Sequence, residues 1–555
     1  INGDSVITSP LGIGFGGGNL TSNAAHGYQA LNANTTGDSN SAFGYQSLKA
    51  NTTGYNNTAV GWGSLTANTT GVQNTAVGNG ALYQSITASN NTAVGDQALF
   101  ANTADNNTAV GYQALKLNTT GTPNDAFGYQ ALYNNTTGIE NVAIGYAALQ
   151  SNTVGSNNTA VGSADQSGYP PLNANVSGNA NTAVGGGVLG KSTASNNTGV
   201  GYQALRNNTT GTPNDAFGYQ ALLNNTTGTH NVAIGYAALY SNTTASDNTA
   251  VGYQALLNNQ GAGVCNTGIG SSALLANTTG NGNTAVGFQA AANTNTGSGN
   301  TAMGSPVQAV CNSTLGTNTT GYWNTVYGAG AMSANTTGAI NTAIGMMAMY
   351  AHTTGTQNTC VGYQSLYNLT SGSYNVAVGV GAGLTLTTGI YGVYVGTNAK
   401  ASAAGNNYEI VVGTNNSGGV VGKGTNTAFI NANGGGTYNG ANGTAWATTS
   451  DQRIKENIVG LEEALAIINA LRAVEFDYKE SGKHEIGFIA QEYQQILPDQ
   501  ITYHSANEVE KEWVGDDEVM AIQQNLVPYL VKAVQELSQQ LKDVKAELAE
   551  LKGTQ

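Results

Sequence analysis

A five-residue string, Asn-Thr-Ala-Val-Gly, returns with its Asn at positions 57, 74, 91, 107, 158, 181, 248 and 283. Variants fill the gaps: NSAFG at 40, NDAFG at 124 and 214, NVAIG at 141 and 231, NTAIG at 341. The step is nearly always 17 residues, with two long exceptions, 158 to 181 and 300 to 324. Counted from NAAHG at 23 there are 24 units, the last ones degenerate: GVYVG (392–396), EIVVG (409–413) and NTAFI (426–430). The fullest unit reads NTAVGYQALxxNTTGxx. A fixed period of this kind describes stacked pieces, each too small to bury its apolar face without its neighbours.

Seventeen residues are too few for a helix pair, whose repeats run to about 30 or more. A Gly in every unit also disfavours helix. The segment T-A-V-G-Y alternates, placing Thr, Val and Tyr on one face and Ala and Gly on the other. NTTG supplies turn chemistry. Two short strands and two turns per unit predict a mostly β chain: a parallel β-solenoid of 17-residue coils. At about 4.8 Å per coil the rod is on the order of 115 Å long. Ala and Gly are expected in the thin interior, with Val, Leu and the aromatic residues outside. A slender solenoid cannot cover those alone, which predicts a homotrimer with them between chains. The NxAxG core resembles the head repeats of trimeric autotransporter adhesins, which carry a comparable signature on a shorter period. The resemblance covers that core only.

Stacking in register turns each position into a column. The position after the Gly is often aromatic, as in Tyr45, Trp62, Tyr112, Tyr129, Tyr146, Tyr202, Tyr219, Tyr236, Tyr253, Phe288 and Tyr363. Such a column can pack between chains or stack on sugars. Asn51, Asn68 and Asn118 read as N-x-T sequons. An Asn ladder bonding its amides up the stack is the simpler reading. Thr columns resemble those of ice-binding solenoids, but hydroxyls that cap turns explain them. The long units, with SADQSGYPPLNANVSG (163–178) and SPVQAVCNSTLGTNTTGYW (305–323), are natural places for decoration. GTPNDAFGYQAL occurs twice, at 121–132 and 211–222, and marks a block duplication.

The composition breaks at TTSDQRIKENI (448–458). Residues 1–449 hold 6 of the 16 Lys+Arg and 10 of the 30 Asp+Glu; the remaining 10 and 20 crowd into residues 450–555. Beyond the break, Leu461, Leu465, Ile468 and Leu471 share one helical face, and AVEFDY (473–478) and HEIGFIAQ (484–491) read as strands. A long helix is expected over 525–551, with Pro528 in its first turn. Its seam, Val527, Leu530, Val534, Leu537, Leu541, Val544, Leu548 and Leu551, steps by 3 and 4 and predicts a parallel coiled coil. The expected domains are an N-terminal segment 1–22, a shaft 23–449 and an α+β domain 450–555. The opening INGDSVITSP lacks a Met and a secretory pattern, which suggests an N-terminal attachment domain upstream.

SDQRIKENI, ALAIINALRAVEFDY, GFIAQEYQQILP and LVPYLVKAVQEL, in that order, resemble the C-terminal intramolecular chaperone of endosialidase-type phage tailspikes and tail fibres. The resemblance implies a domain that trimerises its fibre and then cuts itself off with a Ser-Lys dyad. Ser450 matches the nucleophile, Lys455 the general base, and the cleaved bond is Thr449–Ser450. A Ser hydroxyl needs a base to take its proton, and a desolvated Lys can serve. This implies a single-turnover self-processing serine endopeptidase with no enzymatic activity in the shaft. Register is the physical need: coils that resemble one another can pair wrongly, and a C-terminal coiled coil sets three chains level.

The function expected is a virion tail fibre or spike, assembled in the host cytoplasm, that binds a host cell-surface glycan or protein receptor. A cell-surface adhesin or structural filament, and a glycan depolymerase, are the alternatives; depolymerisation would need paired carboxylates that ten scattered acids seldom supply. No basic stripe suits nucleic acid, and no apolar run of about 18 residues spans a membrane. Cys265, Cys311 and Cys360 lack metal spacing, and neither metal nor cofactor is expected.

Overall fold

The computed structural model describes residues 13–14, 16–18, 20–306, 313–414, 419–432, 435–439, 447–448, 456–479, 482–505, 518–523 and 526–553. The chain divides into two compact units, Ile1–Thr449 and Ser450–Gln555.

The first unit is a parallel β-solenoid. Among the described residues, 24 strands from Ala24–His26 to Ala428–Ala432 form one parallel ladder, one strand per coil. Register follows the repeat letter for letter: Thr58 faces Thr75, Ala59 faces Ala76 and Val60 faces Val77. The ladder is closed by antiparallel strands, Ile13–Gly14 at one end and Gly435–Asn439 at the other, so its outermost strands are already paired.

Nearly every coil carries one short strand, not the two expected; only the coils of Val393–Val395 and Ile410–Thr414 add a second, Ala399–Lys400 paired in parallel with Val420–Val421. After the Gly the chain turns instead: the Gly44 carbonyl accepts from Ser47 N–H at 3.4 Å, with Gln46 at φ 61° and Leu48 at φ 49°. Positive φ at such residues is costly in isolation. Here neighbouring coils hold it in place: Gln46 N–H donates to Tyr28 (2.8 Å) and Leu48 N–H to Ser64 (3.0 Å). The turn also changes which side chains face inward. Leu48, Leu65 and Leu82 are wholly buried, so the Leu column lies inside, against expectation; strand alternation cannot be continued through a turn. Ala42, Ala59 and Ala76 are inside and Val60 outside, as the alternation predicts.

The Gly after each strand does not serve the interior. Gly218 has φ 142°, and a Cβ there would stand 2.4 Å from the Gly235 carbonyl oxygen one coil on. The close approach is from coil to coil, at a corner of the turn.

Two columns of Asn run through the interior. In the NTTG column Asn51 Nδ2 donates to Asn34 Oδ1 (2.9 Å) and to Gly54 O (2.9 Å), and Asn68 repeats the pattern onto Asn51. These amides are buried, so the sequons they form belong to a ladder and not to a glycan. In the second column, Asn57 Oδ1 accepts both the backbone N–H and the side-chain amide of Asn74 (3.0 and 3.1 Å). Where the NTTG column changes residue, an acceptor is stranded: Asn68, Asn175 and Asn277 lie beneath Ser85, Ser192 and Thr294, and each keeps a buried Oδ1 with no partner.

At one rung a histidine takes the place of Asn. His352 is wholly buried, with Nδ1 3.0 Å from Asn335 Oδ1. Burial holds its pKa down at about 4, below the usual 6.5 of an imidazole. The unfolded chain therefore binds a proton that the folded chain refuses. Stability from this group is whole above about pH 6.5 and is lost as pH falls toward 4, a change on the order of 3 kcal/mol. Denaturant melts between pH 7 and 4 are expected to show wild type losing stability on acidification relative to His352→Asn, because only wild type carries this proton-linked slope. Parallel slopes would assign the acid sensitivity elsewhere.

The second unit is α+β. Helix α1 (Ala464–Ala470) is followed by a hairpin of Val474–Asp477 and His484–Gly487. Helix α2 (Ala490–Ile496) follows, then an antiparallel pair, Ile501–Ser505 with Glu518–Ile522, and the long helix α3 (Val527–Gly553). The expected second strand ends at Gly487 and gives way to α2, which the reading of HEIGFIAQ as one strand did not separate.

Candidate functional site

The residues proposed for processing, Thr449, Ser450 and Lys455, lie outside the described residues. The unit that follows them is built around α3. Helix α1 exposes unsatisfied N–H groups at its first turn, as any helix does. Glu536 of α3 receives them: Leu465 N–H donates to Oε2 at 2.8 Å and Ala464 N–H to Oε1 at 3.4 Å. Ala464 and Ala533 are buried, which fixes α1 on that flank of α3. Helix α2 is anchored by Tyr493, buried and edge-to-face on Phe488 at 5.5 Å, and by an exposed ion pair of Glu492 with Arg472 Nε at 2.9 Å.

Helix α3 carries the heptad seam on a face that α1 leaves open. Val527, Leu530, Val534, Leu537, Leu541, Val544 and Leu548 are 46–70 % exposed, and Leu551 at the end is 68 % exposed. Soluble helices seldom present so long an apolar stripe to water. The α3 face is built to be covered.

The shaft presents two kinds of outer column. On the strand face, Phe43, Val60, Phe127, Ile144, Phe217, Ile234 and Ile344 stand exposed in one line, apolar coil after coil. Beside it, the aromatic column forms stacked ladders: Tyr112, Tyr129 and Tyr146 at 5.1 and 5.2 Å, and Tyr202, Tyr219, Tyr236 and Tyr253 at 5.1–5.4 Å. Rings stacked in this way use up each other's faces. Asn79, Asp96, Gly186 and Ser271 interrupt the column.

The first long unit is a tied-down loop. Asp165 is buried and bonded to Arg206 Nε (2.6 Å), Gln203 Nε2 (2.9 Å), Ser167 N–H (2.9 Å) and Tyr169 N–H (3.0 Å). Burial alone would raise its pKa, but the donors, Tyr169 N–H foremost, outweigh it and hold the carboxyl below the usual range. Arg206 lies over the Tyr169 ring at 4.8 Å. Glycines make the room: a Cβ on Gly187 would meet Asp165 at 2.8 Å. In the second long unit, residues 307–312, with Cys311, lie outside the described residues. Cys265 is exposed, and Cys360 is buried with its thiol pushed up to about 12 by burial. Among the described residues no helix is long and apolar enough to cross a membrane.

Neither the strand-leading Asn column nor the Asp165–Arg206 bracket was expected. The first had a visible signal, an Asn that leads every unit but those at Gly392 and Glu409. The second had only a rare acid and a rare base, 41 residues apart.

Residues 450–502 match the family model described as chaperone of endosialidase. No curated protein and no solved structure matches the chain. The match starts at Ser450, the residue that follows the charge-poor solenoid unit.

Proposed function

We propose that the chain is a tail fibre or spike of a phage, made of a solenoid shaft and a C-terminal chaperone that gathers three chains and then severs itself between Thr449 and Ser450. The observation that carries the reading is the chaperone-of-endosialidase match placed directly after a β-solenoid. Two surfaces support the trimer. The open α3 seam suits a parallel coiled coil over residues 525–551. The apolar column of the strand face, Val, Ile, Phe, Met or Tyr at every coil after His26, suits contact along the shaft, where the aromatic column, interrupted by Asn79 and Asp96, suits it less.

In the processing step, Lys455 in its neutral form takes the proton from Ser450 Oγ. The oxygen attacks the Thr449 carbonyl carbon, the peptide C–N bond breaks, and the Ser450 nitrogen leaves protonated as the new amino terminus. The resulting ester between Thr449 and Ser450 Oγ is hydrolysed by water, which frees the shaft. Lys suits this task when burial lowers its pKa, since desolvation disfavours the ammonium. Removing the chaperone leaves the shaft without its assembly aid and therefore kinetically trapped.

The uncut chain of 555 residues, 56.3 kDa, is the starting species. Wild type is expected to lose residues 450–555, with a new N-terminus at Ser450 by mass spectrometry, while Ser450→Ala and Lys455→Ala stay intact on a boiled denaturing gel. Equal full-length bands from wild type and Ser450→Ala would end the self-cleavage reading.

A further inference from the structure

The stacked aromatic ladders offer edges but few free faces, so a ligand that uses ring faces needs a place where the columns are disturbed. One such place lies in the second copy of the duplicated block. A ladder of glutamines runs beside the aromatic column: Gln130 Nε2 donates to Gln113 Oε1 (2.9 Å) and Gln220 Nε2 to Gln203 Oε1 (2.9 Å). At Ala237 the ladder loses a rung between Gln220 and Gln254. The first copy has the same alanine, Ala147, but there Gln150 reaches across and donates to Gln130 at 2.8 Å. In the second copy the residue matching Gln150 is Tyr240, and the space stays open.

The result is a groove of about 310 Å³ floored by Ala237 and lined by Tyr236, Tyr240, Gln220, Gln254, Asn258 and Ser241. Tyr240 stands between Leu223 and Leu257 in its column, so no stacked ring of that column adjoins it. Across Ser241 a second groove of about 430 Å³ continues along the shaft past Asn207 and Asn224 to Lys191. Asn207 Nδ2 is spent on Asn224 (3.2 Å), but its Oδ1 is buried and has no donor.

We infer that these joined grooves are an oligosaccharide-binding site, with the unstacked Tyr240 ring as its apolar wall and the edge of Tyr236 beside it. The inference rests on the surface-binding reading above and names its ligand class. Sugars present C–H faces that pack on aromatic rings and hydroxyls that both donate and accept. Side-chain amides likewise both donate and accept, and the first groove is lined by three of them with no charged group. The two volumes together accommodate several sugar units, and Lys191 at the far end admits an acidic one.

The test uses the full chain and a printed array of tetra- to octasaccharides of hexoses, N-acetylhexosamines and uronic acids, followed by calorimetry on the strongest ligand. Ala237→Gln restores the missing rung, and Tyr240→Gln reproduces the bridging residue of the first copy, so both are expected to keep the wild-type melting temperature. Both are expected to weaken binding at least about tenfold. Binding unchanged in both variants, or a wild type silent on the whole array, overturns the site. Processing at Thr449–Ser450 is scored on the same preparations, so a failure here is separable from a failure of the chaperone reading.

Discussion

Gly218→Ala is expected to open the shaft between two coils while the other coils stay stacked. Two costs add at this position. At φ 142° an L side chain is disfavoured whatever its surroundings, by about 1–3 kcal/mol. The new Cβ would also lie 2.4 Å from the Gly235 oxygen and 2.7 Å from its carbonyl carbon. Backbone atoms cannot swing aside as a side-chain tip can, so the coils must part, breaking the Gly235 N–H bond to Phe217 (2.8 Å) and its neighbours. The total is on the order of 4 kcal/mol or more. In a one-dimensional array the damage stays near the fault. Hydrogen exchange should rise sharply in peptides covering residues 201–252 and stay low elsewhere. Gly282→Asn is the control: its φ is 64°, nothing lies within 4 Å of its Cβ, and matching positions elsewhere hold Asn56 and Asn90 at φ 57° and 60°. It is expected to be neutral. Equal protection in Gly218→Ala and wild type would show that the contact is not tight.

The second large effect concerns assembly. Leu537→Asp combined with Leu541→Asp is expected to leave the chain monomeric. Each leucine is more than half exposed in a single chain and would be covered in a three-stranded coil. Burying a leucine contributes about 1.5–3 kcal/mol, so six per trimer amount to on the order of 10 kcal/mol, before the penalty of burying unpaired carboxylates. Sedimentation should give a trimer for wild type and a monomer for the double variant. Lys542→Asp, one residue off the seam, makes a comparable charge change and should still assemble. A double variant that sediments as wild type does would remove the coiled coil from the proposal.

The period of 17 was enough to read the solenoid, its parallel stacking and the NTTG Asn ladder, because a column of identical residues has one geometry open to it. The inward Leu column was not legible. Alternation is a property of strands, and Gln46 and Leu48 sit in left-handed backbone that only stacked neighbours sustain. The corner Gly column was visible as a letter, but its purpose, coil-to-coil clearance, depends on a carbonyl one turn away in the stack. The C-terminal break at Ser450 was legible from charge alone. Helix α2 was missed because after Gly487 the run Phe488-Ile489-Ala490 passes apolar into the helix with no polar N-cap residue to mark its start. The Tyr240 groove was illegible for a different reason: it comes from residues that are absent, a rung missing at Ala237 and a bridge missing at position 240, and absence carries meaning only beside the first copy.

The Asn and Gln ladders have one further property. In the two interior Asn columns and the Gln column the inter-coil amide bonds run one way: Asn51 donates to Asn34, Asn74 to Asn57 and Gln46 to Gln29, from the later coil to the earlier. The N–H and C=O groups of a parallel strand point alternately to either neighbour and largely cancel along the stack. The side-chain amides do not, and their dipoles add as peptide dipoles do in a helix. These amide ladders are therefore electrically polar, positive toward the N-terminus, while the Thr hydroxyls and turn N–H groups that donate from earlier coil to later offset part of that field. Three shafts lying parallel set these dipoles side by side with like ends together, a small repulsion that salt relieves and that any contact between the chains must exceed.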